Sequence, residues 1–273
     1  MCFEEEISLK WSSILILWLL SMVFLILASG QQTADDWNYQ GIAFAQTGKY
    51  DEAIQAFDQA IAINSSDADA WSNKGTAFYS QGNYNEAIQA YDKALELKPD
   101  AILSAYIWNS KGLALYKQGK YGEAIPAYDQ AIAIGPSYAD AWNNKGEALY
   151  SQGKYDEATQ AFNKAIELDP NFVKAWSNKG VVLYSQGKYN EATQAYDKAI
   201  EINPKSAEAW NNKGYALDSQ GKYDEAIQAY DKAIEINPQY AKAWFNKGYV
   251  LKLLGRTTEA EAAFAKANEL GGN

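Results

Sequence analysis

The chain of 273 residues has no histidine, one cysteine and one arginine. Without histidine there is no Ser-His-Asp or Cys-His nucleophile, no imidazole metal ligand and no imidazole pH switch. The single cysteine, Cys2, leaves no internal disulfide, so cysteine usage says little about redox compartment. Arg256 is the one guanidinium, and 34 acidic against 24 basic residues give a net charge of −10. Such a surface lacks the basic footprint of a nucleic-acid binder and suits bidentate phosphate recognition poorly. There is also no nucleophile motif and no cofactor loop. Composition therefore argues against an enzyme and implies no cofactor and no metal.

Charge is also missing from one stretch. Trp11 to Ala28 reads WSSILILWLLSMVFLILA, with an uninterrupted core of Ile14–Ala28 broken only by Ser21. Its length lies between a signal-peptide core and a membrane span of about 20 residues. Glu4, Glu5 and Glu6 do not suit a positively charged leader, whereas Ala28-Ser29-Gly30 has the small residues of a cleavage site. Lys10 is the one basic side chain near the segment, which places the N-terminus inside and the remainder outside. Residues 1–30 are therefore expected to be a signal-anchor or a signal peptide, and 31–33 a short linker. The expected location is membrane-anchored with the rest of the chain extracytoplasmic, or exported after leader cleavage.

Beyond that segment the sequence is periodic. Tryptophan stands at 37, 71, 108, 142, 176, 210 and 244, spaced by 34 residues except for one gap of 37. A glycine follows each by four residues and another by eleven, the second within phrases such as SQGKYDEA. Five of the six prolines (99, 136, 170, 204 and 238) keep one register. Tryptophan, the glycine four on and the large residue seven on, as in Trp142, Gly146 and Leu149, share one face of a helix. The second glycine ends that helix in the left-handed conformation. A tyrosine follows, and then Asp, Asn or Gly is expected to open a second helix, with acidic residues at its positive end. Ala158, Phe162 and Ala165 lie on that second helix, and proline ends the unit.

Trp142, Gly146, Leu149, Ala158, Phe162, Ala165 and Pro170 fill the W, G, Y, A, F and P places of a 34-residue unit, and here the chain resembles the tetratricopeptide repeat family. The resemblance covers Ala34–Asn273. It implies an all-α fold: a right-handed superhelix (solenoid) of seven helix-turn-helix repeats, preceded by one N-terminal hydrophobic helix. The units are 34–67, 68–101, 105–138, 139–172, 173–206, 207–240 and 241–273, with a three-residue insertion at 102–104. Two departures stand out. Lysine (Lys74, Lys111, Lys145, Lys179, Lys213, Lys247) occupies the place before the first glycine where the family usually has leucine, and the first-helix aromatic is often shifted by one, as at Tyr150. In the last unit Glu261 and Asn268 replace apolar residues, and in the first Asp36 replaces the small residue before tryptophan, so the array is expected to begin at unit one and end at unit seven. The insertion is expected to lengthen a first helix by about a turn. A sharper reading makes Ile102, Leu103, Tyr106 and Ile107 a partly exposed interaction patch. Pro126, early in a second helix, is expected to produce a mild kink.

Residues two before tryptophan, two after and five after lie opposite the core face and would form the inner, concave wall. The resemblance implies that this wall holds an extended peptide or a partner helix. The partner-binding candidates are Asn73, Asn144, Asn178, Asn212 and Asn246, with Lys174, Lys242, Tyr215 and Tyr249. Their amides could pair with a peptide backbone, or the row could be a copied surface residue. Tyr79, Tyr116, Tyr150 and Tyr184 lie on the flank, where inter-repeat packing competes with a ligand role. Some family members clamp a terminal carboxylate on this wall, but only Asn178, Asn212, Lys242 and Asn246 echo such a clamp. Asp67 and Asp69 have calcium-loop spacing without the following Gly or Glu. Asp51-Glu52 and its repeats fit helix starts better than catalysis, and Asn64-Ser65-Ser66 is a glycosylation sequon. The function expected is a non-enzymatic scaffold for a peptide or protein partner; the alternative is an envelope protein gripping a glycan polymer.

Overall fold

The computed structural model of the chain describes residues 32–271. They form fourteen helices: α1 Ala34–Gln46, α2 Tyr50–Ile63, α3 Ala68–Ser80, α4 Tyr84–Glu96, α5 Ala101–Lys117, α6 Tyr121–Ile134, α7 Ala139–Ser151, α8 Tyr155–Leu168, α9 Val173–Ser185, α10 Tyr189–Ile202, α11 Ala207–Ser219, α12 Tyr223–Ile236, α13 Ala241–Leu253 and α14 Thr257–Glu269. There is no strand among the described residues. The chain divides into two compact units between Pro136 and Ser137, the first holding α1–α6 and the second α7–α14. The expected N-terminal hydrophobic helix and the leader or anchor reading lie outside the described residues. Among the described residues, no helix is long and apolar enough to cross a membrane.

Each unit is a stack of helical hairpins. In the first, α1, α3 and α5 stand side by side, and α2 and α4 each pack between successive first helices. In the second, α7, α9, α11 and α13 form the same row, with α8, α10 and α12 behind them. The second helices touch only first helices, so the inner wall of each unit is made of first helices alone.

The hairpin turn explains the repeated QG step. Gly153 has φ +76°, and its N–H donates to the Tyr150 carbonyl (2.8 Å) while Lys154 N–H donates to the Leu149 carbonyl (3.0 Å). This pair of bonds satisfies the last carbonyls of α7. The same pair recurs at Gly48, Gly82, Gly119, Gly187, Gly221 and Gly255. The second helix begins one residue earlier than the sequence suggested. Tyrosine, not Asp or Asn, is its first residue, and the preceding residue, Lys154 in α8, caps it without a side-chain bond. The backbone pays for both events at once: Lys154 closes the first helix with its N–H and accepts from Ala158 N–H with its carbonyl.

The glycine four after tryptophan is a packing residue. A Cβ on Gly146 would stand 2.6 Å from Cε1 of Phe162, and one on Gly180 would stand 2.5 Å from Cε1 of Tyr196. The second-helix ring therefore lies directly against first-helix backbone. Ala158, Ala161 and Ala165 around it are at most 2% exposed. Tyr91 uses its hydroxyl, 3.3 Å from Oγ1 of Thr76, but the buried Oη of Tyr230 has no partner. Removing an unsatisfied buried hydroxyl relieves its desolvation cost. Tyr230→Phe is expected to stabilise the second unit by about 1 kcal/mol, whereas Tyr91→Phe is expected to lose stability. Urea midpoints for the two variants check this, and a loss of stability in Tyr230→Phe would contradict the assignment.

The tryptophans lie half-buried at the seams. Trp71 packs on the cluster of Ala87, Tyr91, Ala94, Ile107 and Ala114, and Trp210 and Trp244 pack on the cluster around Tyr230. Their indole N–H groups donate back to the residue six earlier: Trp176 to Pro170 O (3.0 Å), Trp210 to Pro204 O (3.1 Å) and Trp244 to Pro238 O (3.0 Å). The lysine three after tryptophan lies over the indole, at 5.1–5.7 Å from the ring centroid at Lys74, Lys111, Lys145, Lys179, Lys213 and Lys247. A cation–π contact and an apolar stem thus serve where leucine would.

The insertion lengthens α5 to 17 residues against 13 in the other first helices. It does not expose the whole proposed patch. Ile102 and Tyr106 are 85% and 42% exposed, but Ile107 is fully buried against Tyr91 and Leu103 packs against the same cluster. Helical spacing sends residues 103 and 107 to one face, which here is the core. α6 runs through Pro126 without interruption. Asp36 completes a capping box, its carboxylate accepting from Thr33 N–H (2.9 Å) while Thr33 Oγ1 accepts from Asp36 N–H (3.2 Å). Glu261 and Asn268 are exposed.

Candidate functional site

The asparagine row is first of all a joint between repeats. Successive residues on a helix point 100° apart, so the residue one after tryptophan faces the following first helix, and that helix answers with the residue two after its own tryptophan. Asn73 Nδ2 donates to Asn38 Oδ1, Asn178 to Asn143 and Asn246 to Asn211, each at 3.0 Å and each across 35 residues. Asn211 also donates to Asn212 (3.3 Å), and Asn143 to Asn144 (3.4 Å). Asn144 is buried, while Asn73, Asn178, Asn212 and Asn246 are half-buried. The row is therefore less open than a free amide ladder. A neutral amide pair of this kind contributes about 1 kcal/mol. Sequence reading missed the accepting partners Asn38, Asn143 and Asn211. Their signal was the asparagine directly after tryptophan, with donor and acceptor separated by one repeat plus one residue.

Glu147 gathers the polar groups of the second unit's wall. Its Oε1 accepts from Asn143 Nδ2 (2.7 Å), Asn178 Nδ2 (3.0 Å) and Lys174 Nζ (2.7 Å). Both N–H groups of Asn178 are thereby engaged, one with Asn143 and one with Glu147, leaving its carbonyl oxygen to offer. Lys174 is likewise held. Lys242 occupies the matching place two repeats later, but the residue that would face it in Glu147's register is Tyr215. Lys242 is exposed. Tyr215 is 46% exposed, Tyr249 50% and Phe245 44%. Asn246 spends one N–H on Asn211 and retains the other with its oxygen. Tyr215, Lys242, Phe245, Asn246 and Tyr249 thus lie on the neighbouring first helices α11 and α13 as an aromatic, singly cationic stretch.

The flank tyrosines are packing residues. Tyr79 meets Tyr84, Tyr116 meets Tyr121, Tyr150 meets Tyr155 and Tyr184 meets Tyr189, with centroids 5.2–5.6 Å apart across the hairpin turn. Tyr184 also stacks on Tyr215 at 4.9 Å and lies 2.9 Å from Ser219 Oγ. Burial raises the Tyr79 and Tyr184 hydroxyls above the ordinary phenol value. The glutamine of the QG step makes a further joint that the sequence did not disclose. Gln81 Nε2 donates to Asp51 Oδ1 and Gln186 Nε2 to Asp156 Oδ1, both at 2.7 Å. The acidic residues at the second-helix starts thus hold neighbouring repeats together. Asp67 caps α3 by accepting from Ala70 N–H (3.0 Å), and burial beside Asp67 raises the carboxyl of Asp69. Among the described residues no three Cys, Asp or Glu side chains converge as metal ligands.

Family models described as tetratricopeptide repeat match residues 177–241 and 229–262, and one described as TPR repeat matches 41–82. A model described as the C-terminal domain of cilia and flagella-associated protein 70 matches residues 67–201. None of the curated proteins matches the sequence. Among solved structures, the chain is similar to MamA, with 28% identity, a TM-score of 0.55, and coverage of 59% of this chain and 94% of that one. It is similar to YrrB, described as a TPR protein with an unusual peptide-binding site, with 27% identity, a TM-score of 0.55, and coverage of 70% and 96%. A tetratricopeptide repeat protein from Parabacteroides merdae ATCC 43184 shares the fold, with 19% identity, a TM-score of 0.69, and coverage of 88% and 94%.

Proposed function

The chain belongs to the tetratricopeptide repeat family, and we propose that it is a non-enzymatic scaffold that takes an extended peptide or protein partner on the inner wall of its second unit. The observation that carries this reading is the exposed pair Tyr215 and Tyr249 on adjacent first helices, beside Lys242, whose register-mate Lys174 is tied to Glu147. Exposed tyrosines supply large contact area at low entropic cost, and the free amide edge of Asn246 can meet a peptide backbone. The similar protein YrrB carries a peptide-binding site by its own description. The uncharged segment within residues 1–30 supports a location at or beyond the membrane, with the repeats extracytoplasmic.

A displayed library of random extended peptides, panned on the immobilised full chain, tests the reading. Enriched peptides are expected to bind the Tyr215→Ala/Tyr249→Ala variant about tenfold more weakly and to bind a Glu201→Ala variant, altered on an exposed second helix, as they bind the parent. Equal binding to both variants would overturn the assignment of the wall. Cell fractionation of the full chain checks location, with recovery among soluble cytoplasmic proteins counting against it.

A further inference from the structure

The ion pairing of the lysines over the indoles is interrupted at Lys179. Lys74, Lys111, Lys213 and Lys247 each pair with an aspartate on the second helix of the preceding repeat: Asp58, Asp92, Asp197 and Asp231. The offset is 16 residues, or 19 where the insertion intervenes. Sixteen residues before Lys179 stands Asn163. An amide cannot supply the missing charge. Lys179 keeps its indole, 5.2 Å from the Trp176 centroid, without the carboxylate that these four register-mates have.

Lys179 lines an open cavity, as the paired Lys213 does, so the missing carboxylate is what sets it apart. The Lys179 cavity measures about 480 Å³ and is shared with Trp176, Leu183, Glu191, Gln194 and Ala195. The other charged groups at this cavity are Asp197, paired with Lys213, and Lys198, paired with Glu201. Glu191 offsets the burial of the ammonium only in part: desolvation dominates and lowers the Lys179 pKa. A lysine of this kind spends more time as the free amine, the nucleophilic form.

We propose that Lys179 is a selective acylation site, reacting with small acyl phosphates ahead of the four register-equivalent lysines that are paired with aspartate. In the step, the Nζ lone pair attacks the acyl carbon and a C–N bond forms. The C–O bond to phosphorus-bound oxygen breaks, inorganic phosphate leaves with that electron pair, and the nitrogen gives its proton to water. The product is a neutral amide lying along the Trp176 ring. No ion pair is lost at Lys179, whereas acylation of Lys213 would strand Asp197 and acylation of Lys247 would strand Asp231.

The test treats the folded full chain with isotopically labelled acetyl phosphate and measures initial acetylation at each lysine by quantitative mass spectrometry after digestion. Lys179 is expected to react about threefold faster, or more, than the mean of Lys74, Lys111, Lys213 and Lys247, since those four must first leave an ion pair. Asn163→Asp is expected to bring Lys179 down to their rate. Asp231→Asn is expected to raise Lys247 toward the rate of Lys179, which tests the rule at an independent joint. A Lys179 rate at or below that mean, or one unchanged by Asn163→Asp, would overturn the proposal.

Discussion

Alanine in place of Gly146 is expected to lower stability by about 3 kcal/mol, at the upper end of what an overpacked core ordinarily costs. The added carbon would stand 2.6 Å from Cε1 and 2.8 Å from Cζ of Phe162. Phe162 is 1% exposed and is packed among alanines that are themselves buried, so the ring has nowhere to retreat without parting α7 from α8. Gly153, in the turn of the same hairpin, provides the control. Nothing lies within 4 Å of its would-be Cβ, and only its φ of +76° resists a side chain. Gly153→Ala is therefore expected to cost about 1 kcal/mol. Urea titration followed by circular dichroism measures both, read as midpoint shifts because repeat arrays need not unfold in one step. If Gly146→Ala proves milder than Gly153→Ala, the close approach of ring to backbone is not what holds the hairpin.

Phe162→Ala attacks the same contact from the other side and is expected to cost about 4 kcal/mol, the usual loss for a buried phenylalanine whose cavity does not collapse. The two substitutions are not independent. Once the ring is gone, the methyl of Gly146→Ala enters vacated space and even fills part of it. The double variant is thus expected to lose about 2 kcal/mol less than the sum of the single losses, or less still. A double-mutant cycle on the four proteins supplies the number. Additivity within about 0.5 kcal/mol would mean that the glycine serves the helix backbone and not the ring.

Much of this was written openly in the residues. Hairpins, their seven left-handed glycines and the place of Phe162 on the second helix all follow from local rules: helical periodicity, glycine's access to positive φ, and alternation of large and small side chains. Where those rules compete, the reading slipped. Six of the seven second helices start at tyrosine because Lys154 and its equivalents serve two helices with one peptide unit, a geometry that residue preferences for caps do not reveal. Ile107 looked like part of a surface patch, yet it holds the place before tryptophan, where Ala70, Ala141, Ala175, Ala209 and Ala243 are buried too, and it packs with Tyr91.

The candidate wall shows the same division more sharply. Its residues were identified by angle alone, and the exposed ones, Tyr215, Lys242 and Tyr249, are found exposed. The asparagines beside them are half-buried or buried, and Asn73, Asn178 and Asn246 each answer a residue 35 positions earlier on the preceding first helix. By itself the sequence determined the repeat, its two helices and their facing sides, since these depend on neighbours within one turn of chain. Only the tertiary structure decided which polar groups remain for a partner. Hydrogen bonds and ion pairs such as Lys174 with Glu147 or Lys213 with Asp197 form between neighbouring repeats, and a donor spent on the adjacent repeat is no longer available to a ligand.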